Sequence, residues 1–523
     1  DDVPEKPGDE IDVETAAPSD EPIDEEVPSE PCTPTSDLDL PDEDFLDSNC
    51  DGIDGVEARA IFVSSDGFDD APGTRAQPVQ TLAHAIELAA TDDRDVYVCN
   101  GAYRENVTIA QRVSLYGGYD CARAWRRVKD RAVVESGVGI PLRIEGVAGV
   151  VHIERIAFRA PDAIAPGQSS QAGAILDSER VELVRVEFEA GHGAAGADAL
   201  AGAAGTRATG SGTNGAATAI NGCNTYPPQD ASCDDLAAGA SNSASHECVS
   251  VRPYLTRGGA GGRGGNIWLA QGQLTCLEAG SDAGLVGSPG QFFDGEEWRN
   301  LPLAAQGRAG ADGADGAPAA LGIGSVESGV YTASNAGGDG TDGSHGEPGS
   351  GGGGGDSFTV GGSICASDAF QPGSGGGQGG AAGCAGHGAA GAGAGGGSIG
   401  LVIANSTVVL TLPRIAVGNG GAGGAGSLGG AGSAAKPPGA AGAAATGSVG
   451  ESGQPGGDGG SGGDGGAGGG GPSVAILYSG FEPAVSEAVY AIGLPGAGGA
   501  GKSLGNGAPG VTGELVPFTS GEL

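Results

Sequence analysis

Between residues 59 and 190 the chain is written in short runs of alternating apolar and polar positions, separated by turn residues. Ala60–Ser64 reads as a strand, and Asp66–Thr74, with Pro72-Gly73, as a turn cluster. Leu82, Ile86 and Ala89 then repeat at helical spacing, which predicts a short amphipathic helix over Pro78–Ala90. Strand-like runs follow at Asp95–Cys99, Asn106–Ile109 and Arg112–Tyr116, and longer alternating ones at Val151–Phe158 (VHIERIAF) and Val181–Phe188 (VELVRVEF). Asn266–Cys276, Phe358–Cys365, Ser398–Val417 and Ser473–Ile492 share the short, β-branched, turn-bounded character of half-buried strands. Strands recurring with irregular insertions predict an all-β solenoid, in which each coil buries its apolar face only against its neighbours. A β-sandwich is the alternative, because its strands also alternate.

The order of these first elements carries a resemblance. A strand, the turn SDGFDDAPGT at Ser65–Thr74 and a capping helix lead into DVYVCNGAYRENVTI at Asp95–Ile109 and then VSLYGGY at Val113–Tyr119. Over about 60 residues this resembles the opening of right-handed parallel β-helix proteins of the pectin-lyase-like class. It is also similar to secreted, glycine-rich surface proteins of myxobacteria. The resemblance implies a right-handed parallel β-helix with an N-terminal cap and first coils in residues 59–135, further coils in 136–513 and a tail in 514–523.

Glycine changes the picture beyond residue 190. Of 108 glycines, 14 lie in residues 1–190 and the other 94 in residues 191–523, concentrated in insertions near 191–265, 306–356, 371–397, 418–471 and 496–513. Within these the glycines keep a register of three: 307, 310, 313, 316; then 337 through 352; then 420 through 432; then 453 and 456 through 471. That period matches an extended left-handed helix of three residues per turn. Collagen is excluded, because the runs stop after a few triplets and hold little proline. The expectation is a set of polyglycine-II-like helices, resembling glycine-rich antifreeze proteins and the tips of some phage adhesins. Such helices lack internal hydrogen bonds and persist only by bonding sideways to one another. If they leave successive coils at one corner, they emerge side by side. Flexible glycine loops are the alternative.

Charge then limits the partners. The chain carries 25 Lys+Arg against 66 Asp+Glu, a net charge of −41. Residues 1–57 hold 22 acidic residues and the single basic Lys6, so about half of that charge lies in a ninth of the chain. Residues 1–31, acidic and proline-rich, read as a self-repelling tether that cannot bury enough apolar surface to order itself. Such a balance excludes nucleic acid, whose phosphates demand clustered Lys and Arg, and disfavours anionic membrane surfaces. No apolar run approaches the ~18 residues of a membrane span.

Ten cysteines stand at Cys32, Cys50, Cys99, Cys121, Cys223, Cys233, Cys248, Cys276, Cys365 and Cys384, with no CxxC and no zinc-type Cys/His spacing. An even count, no methionine and a start at Asp1-Asp2 suggest a processed chain in an oxidising, extracellular or cell-surface setting. Neighbour pairing gives Cys32–Cys50, Cys99–Cys121 and Cys365–Cys384, and leaves the pairing of 223, 233, 248 and 276 open.

The strongest chemical motif lies in residues 32–58. Asp47-Ser-Asn49-Cys-Asp51-Gly52-Ile53-Asp54 sets side-chain oxygens at positions 1, 3 and 5, with glycine at 6. This is the way EF-hand and thrombospondin-type loops wrap Ca²⁺. Asp47, Asn49 and Asp51 would ligate through side chains and Ile53 through its carbonyl, with Asp54 a further candidate. Position 12 is Ala58, not the bidentate Glu, so affinity should be weak. The non-metal reading is an Asx-rich turn pinned by Cys32–Cys50. Gly496–Ser503 spells GxxxxGKS, but the LGNGAPGVTG that follows cannot form the phosphate-binding helix, so no nucleotide is expected. The GxSxG matches at Gly396–Gly400 and Gly459–Gly463 lack a strand–turn–helix setting. Glu154, Asp177, Glu182, Glu187 and Glu189 with Arg155, Arg180 and Arg185 would suit a polysaccharide lyase or hydrolase, or equally a solvated face. The expected role is structural or adhesive and not catalytic. The partners would be polysaccharide, another cell, ice or a second copy of the chain.

Overall fold

The computed structural model describes residues 32–519 apart from 207–210, 213, 216–238, 241–244, 249–253, 265–266, 270–278, 282–284, 294–296, 357, 360–369, 372 and 445–447. The tether, Cys223, Cys233, Cys276 and Cys365 lie outside the described residues. Two compact units are present, residues 1–58 and 59–523.

The second unit is mostly strand, with one α-helix at Leu82–Asp92 among the described residues. Three parallel sheets form its body. The first runs Ala60–Val63, Asp95–Cys99, Ser114–Asp120, Val150–Glu154, Arg180–Val184, Val408–Thr411, Ala484–Ser486. The second runs Ala102–Tyr103, Ala132–Glu135, Ile156–Ala160, Glu187–Ala190, Arg414–Val417, Val489–Ile492. The third runs Val107–Ile109, Leu142–Glu145, Ser170–Leu176, Ser398–Ala404, Ser473–Ser479, Thr512–Pro517. From Leu142 onward the chain visits the third, first and second sheets in rotation, with the strands of four smaller antiparallel sheets interposed between Ala190 and Ser398.

Register stacks like upon like. Val96, Leu115, Ile153, Leu183 and Leu410 follow one another across the first sheet, and Ile109, Ile144, Ile175 and Ile403 across the third. All nine are fully buried in one core, where Phe158 and Phe188 stack with ring centroids 5.5 Å apart. Each such side chain contributes about 1.5–3 kcal/mol on burial.

The two long alternating runs of the sequence each divide into two strands on different sheets. Arg155 and Arg185 separate them, both left-handed with φ 52°. Leu412 and Glu487 repeat this corner two cycles later with φ 52°. At the corner from third to first sheet the residue directly after the third-sheet strand is left-handed in each coil, Gly146, Asp177, Asn405 and Gly480, types for which that region is least strained.

The helix runs Leu82–Asp92, starting later than the expected Pro78 and ending beyond Ala90. Val79 is drawn into a bridge with Val63, and Thr81 caps the first turn by accepting the His84 N–H. Glu105 reaches back to accept the Leu82 and Ala83 N–H groups at 2.9 and 3.1 Å. The buried Leu82, Ala85, Ile86 and Ala89 cover the core.

The third corner, from second to third sheet, holds the glycine insertions. They run from Ala190 to Ser398, from Val417 to Ser473, and from Ile492 to Thr512. Ser398 and Ser473 open the returning strands and donate to the carbonyls of Gly191 and Gly418, at 2.7 and 2.8 Å. Each hydroxyl thereby ties the foot of a tract to the body.

Candidate functional site

The tracts form a laterally bonded bundle. The 450–471 tract shows how. Its amides at 457, 460, 463, 466 and 469 donate to carbonyls at 347, 344, 341, 338 and 335; those at 459, 462, 465, 468 and 471 donate to 433, 430, 427, 424 and 421. Its carbonyls accept seven N–H bonds of 2.9–3.0 Å from Gly377 through Gly395, and five more from Gly307 through Ala319. Every ladder has a period of three on both partners, and the row 457–469 bonds one neighbour through its amides and another through its carbonyls.

Glycine follows from that contact. A Cβ on Gly462 would overlap the His387 carbonyl, and one on Gly463 the Ala314 carbonyl. From 456 to 471 the tract is glycine on two of three positions, one row whose Cβ would strike the 308–317 backbone and one that would strike the 381–396 backbone, whereas the outer 306–316 tract is glycine on one. The register of three read from the sequence thus appears as one glycine row at the edge and as two inside. The 373–397 tract is buried over most of its length, with Ala382, Cys384 and Ala385 fully inaccessible.

Cys384 corrects the pairing expected for it. It bonds Cys248, at a Cα separation of 5.5 Å, and not Cys365. Lateral packing of the tract, not proximity in sequence, brings the two sulfurs together. Cys32–Cys50 and Cys99–Cys121 pair as neighbours do. His345 lies close enough to Cys248 and Cys384 for one ligand atom of each to fall within 4.8 Å. The donor set does not suit a metal as it stands. Both sulfurs are in the disulfide, whereas a metal needs thiolates. The His345 Nδ1 accepts the Ala385 N–H at 3.0 Å, so the ring proton sits on Nε2 and no second lone pair remains. The ring stacks on Tyr254 at 4.5 Å. The group is a cross-link between the strand Ser245–Cys248 and the buried tract.

In residues 32–58 the expected loop ligands fold onto backbone. Asp47 accepts the Asp51 and Gly52 N–H groups at 3.1 and 2.9 Å, Asn49 that of Asp51 at 2.9 Å, and Asp51 those of Ile53 and Glu57 at 3.2 and 2.8 Å. Asp54, buried, accepts from Asp42. The buried Asp39 accepts the Gly55 N–H at 3.0 Å and carries no motif signal in the sequence. Among the described residues, these carboxylates do not gather as a trio within 4.8 Å.

The acidic residues considered for catalysis are dispersed. Glu154 is buried between Arg127 at 2.8 Å and Arg155 at 3.3 Å, with His152 Nε2 3.8 Å away. Arg127, fully buried, is signalled by no spacing; the turn at Cys121–Arg123 returns its segment antiparallel to Tyr119–Asp120 at the first sheet. Glu182 faces His152 Nδ1 at 3.5 Å and Arg180 at 2.7 Å, and the Arg180 bond holds its carboxyl below the ordinary value. Register aligns Asp95, Ser114, His152 and Glu182 in one cross-strand row. Burial raises the Asp95 carboxyl and pushes Tyr116 up to about 12. Glu187 and Glu189 lie on the second sheet, tied to Arg159 at 3.7 and 2.9 Å, and Asp177 turns to Asn405 at 3.1 Å. Arg185 stands at a corner, where its carbonyl accepts from Arg131 Nε at 2.9 Å.

The remaining motifs are absorbed into the tracts. Gly496 and Gly499 donate to the Gly471 and Gly468 carbonyls, and Ser503 bonds Asp315. Ser398 is inaccessible, and the Ser461 amide is held by Asp312. Comparison with protein-family models, curated proteins and solved structures finds no match to this chain.

Proposed function

We propose that this chain is an extracellular or cell-surface structural or adhesive protein: a right-handed parallel β-helix that holds a polyglycine-II-like bundle at one corner. The observation that carries the reading is the bundle's three-residue hydrogen-bond register, anchored through Ser398 and Ser473 to consecutive strands of one sheet. Such a bundle is stiff and keeps small residues at fixed intervals, which suits presentation to a surface. The strand rotation through three sheets and the resemblance at Ser65–Ile109 support the β-helix. Disulfides are compatible with an oxidising location, and no described helix is long and apolar enough to cross a membrane. The loop at Asp47, Asn49, Asp51, Ile53 and Asp54 would take Ca²⁺ weakly and brace residues 32–58.

The alternative, a polysaccharide lyase or hydrolase, draws on the His152–Glu182 pair beside Glu154. One experiment separates the two. The full chain is incubated with acidic and neutral polysaccharides and with intact cells, with and without EDTA. Retention on a polymer or cell surface without shortening of the polymer supports the adhesive reading. Release of unsaturated ends or new reducing ends supports the enzyme, and neither binding nor turnover removes both.

A further inference from the structure

A tract of this kind has three rows of backbone N–H groups, and a row with no neighbouring tract is an open docking edge. The hazard is that of an unpaired β-strand edge, where another chain can add by its carbonyls. In the 450–471 tract two rows are taken by the 335–355 and 418–442 tracts. On the third row, the amides of Ser461 and Asp464 each donate instead to a side chain, Asp312 Oδ1 and Asp315 Oδ1, at 2.8 Å. The side chains of that same row repeat the device one tract further on. Asp458 accepts the Ala435 N–H at 2.8 Å and Asp464 that of Gly429 at 3.0 Å. On the outer tract, Ala311 and Ala314 donate to Ser344 and Thr341, both at 2.7 Å. Asp312 and Asp315, and Thr341 and Ser344, are three residues apart, as are the amides they meet; Asp458 and Asp464 are six apart, as are theirs, and all are short acceptors. An ionised Asp offers acceptors only.

We propose that these side chains act as rungs that seal the flanks of the bundle against a second copy of the chain. Each rung occupies the donor that an incoming tract carbonyl would need. The bundle therefore ends sideways at the chain's own tracts, and its exposed faces remain available to other partners. The same requirement accounts for Asp312, Asp315, Asp458 and Asp464 standing at multiples of three within their tracts. This inference rests on the tracts forming an ordered bundle. If the Gly460 and Gly462 amides of the unmodified chain exchange at the free rate, that reading fails on its own.

The test uses the full chain carrying D312A, D315A, D458A and D464A together, beside a chain with Asn at the same four positions. The Asn chain has the same charge and keeps an acceptor. Hydrogen exchange at the amides of Ser461, Gly429 and Ala435 is read with sedimentation velocity over a range of concentrations. The Ala chain is expected to exchange at least about tenfold faster at these amides, as loss of one hydrogen bond implies, and to associate as concentration rises. The Asn chain is expected to stay protected and monomeric. An Ala chain that remains monomeric, or an Asn chain that associates equally, overturns the proposal. If the fourfold Ala chain does not fold, D315A alone is read at the amide of residue 464 and by sedimentation, with the same two criteria.

Discussion

The three-sheet body and the tract bundle are built from one chain, yet opposite forces hold them. The body buries Leu, Ile, Val and Phe in stacked rows and excludes water from a continuous core. The bundle buries glycine and alanine, whose apolar area is small, and is held by ladders of backbone hydrogen bonds. Each bond is worth only about 0.5–1.5 kcal/mol net, so the bundle depends on number, register and close approach. The lesson is that a missing hydrophobic core need not mean disorder. A bare backbone packs when every N–H row has an acceptor, whether a neighbouring tract or a side chain.

Four changes would break or sharpen this contrast. Phe158→Ala removes a ring from the body's stack with Phe188 and is expected to lower unfolding stability by about 3–5 kcal/mol, read by urea denaturation. An equal loss from a glycine tract substitution and none from this one would invert the comparison. Gly462→Ala pushes a methyl into the His387 carbonyl. A loss of about 1–3 kcal/mol is expected, seen as faster exchange along 459–471 with the body's amides unchanged. Thr81→Ala removes the cap that accepts from His84, for about 1 kcal/mol. Its effect should stay in the helix and first strands and leave tract amides untouched.

The smallest effect is electrostatic. The Arg180 bond, opposed by partial burial and aided by His152, lowers the Glu182 carboxyl. A depressed acid stabilises the fold above its unfolded pKa of about 4.3, and that contribution is lost as pH falls through the folded value. Arg180→Gln should raise the Glu182 midpoint toward the ordinary one in an NMR titration. Because Glu182 lies on the body, the tract signals should not move.

Much of the body is legible in the order of its residues. Asp95–Cys99 is a strand with the bounds its alternation implies, and Ser398–Val417 and Ser473–Ile492 hold three strands each. VHIERIAF also carries its corner, though alternation alone does not reveal it. Val151 and Ile153 are odd-numbered and Ile156 and Phe158 even, and the slip in parity falls at Arg155, where the chain changes sheet. The tracts' period is equally plain, since glycine recurs wherever a backbone lies within a Cβ radius. Arg127 against Glu154, Cys248 against Cys384, and Asp39 beneath Gly55 are not legible. Each joins residues whose separation carries no periodic signal.

The sequence by itself determined the strand class, the helix and the three-residue register, because each is a local rule repeated along the chain. Only the tertiary structure decided which tract lies beside which, how many glycine rows a tract needs, and which cysteine meets Cys384. Those outcomes depend on how many neighbours a segment acquires, and a neighbour 74 or 226 residues away, as Gly377 has in Glu451 and Gly196 in Ala422, leaves no mark at its partner's position.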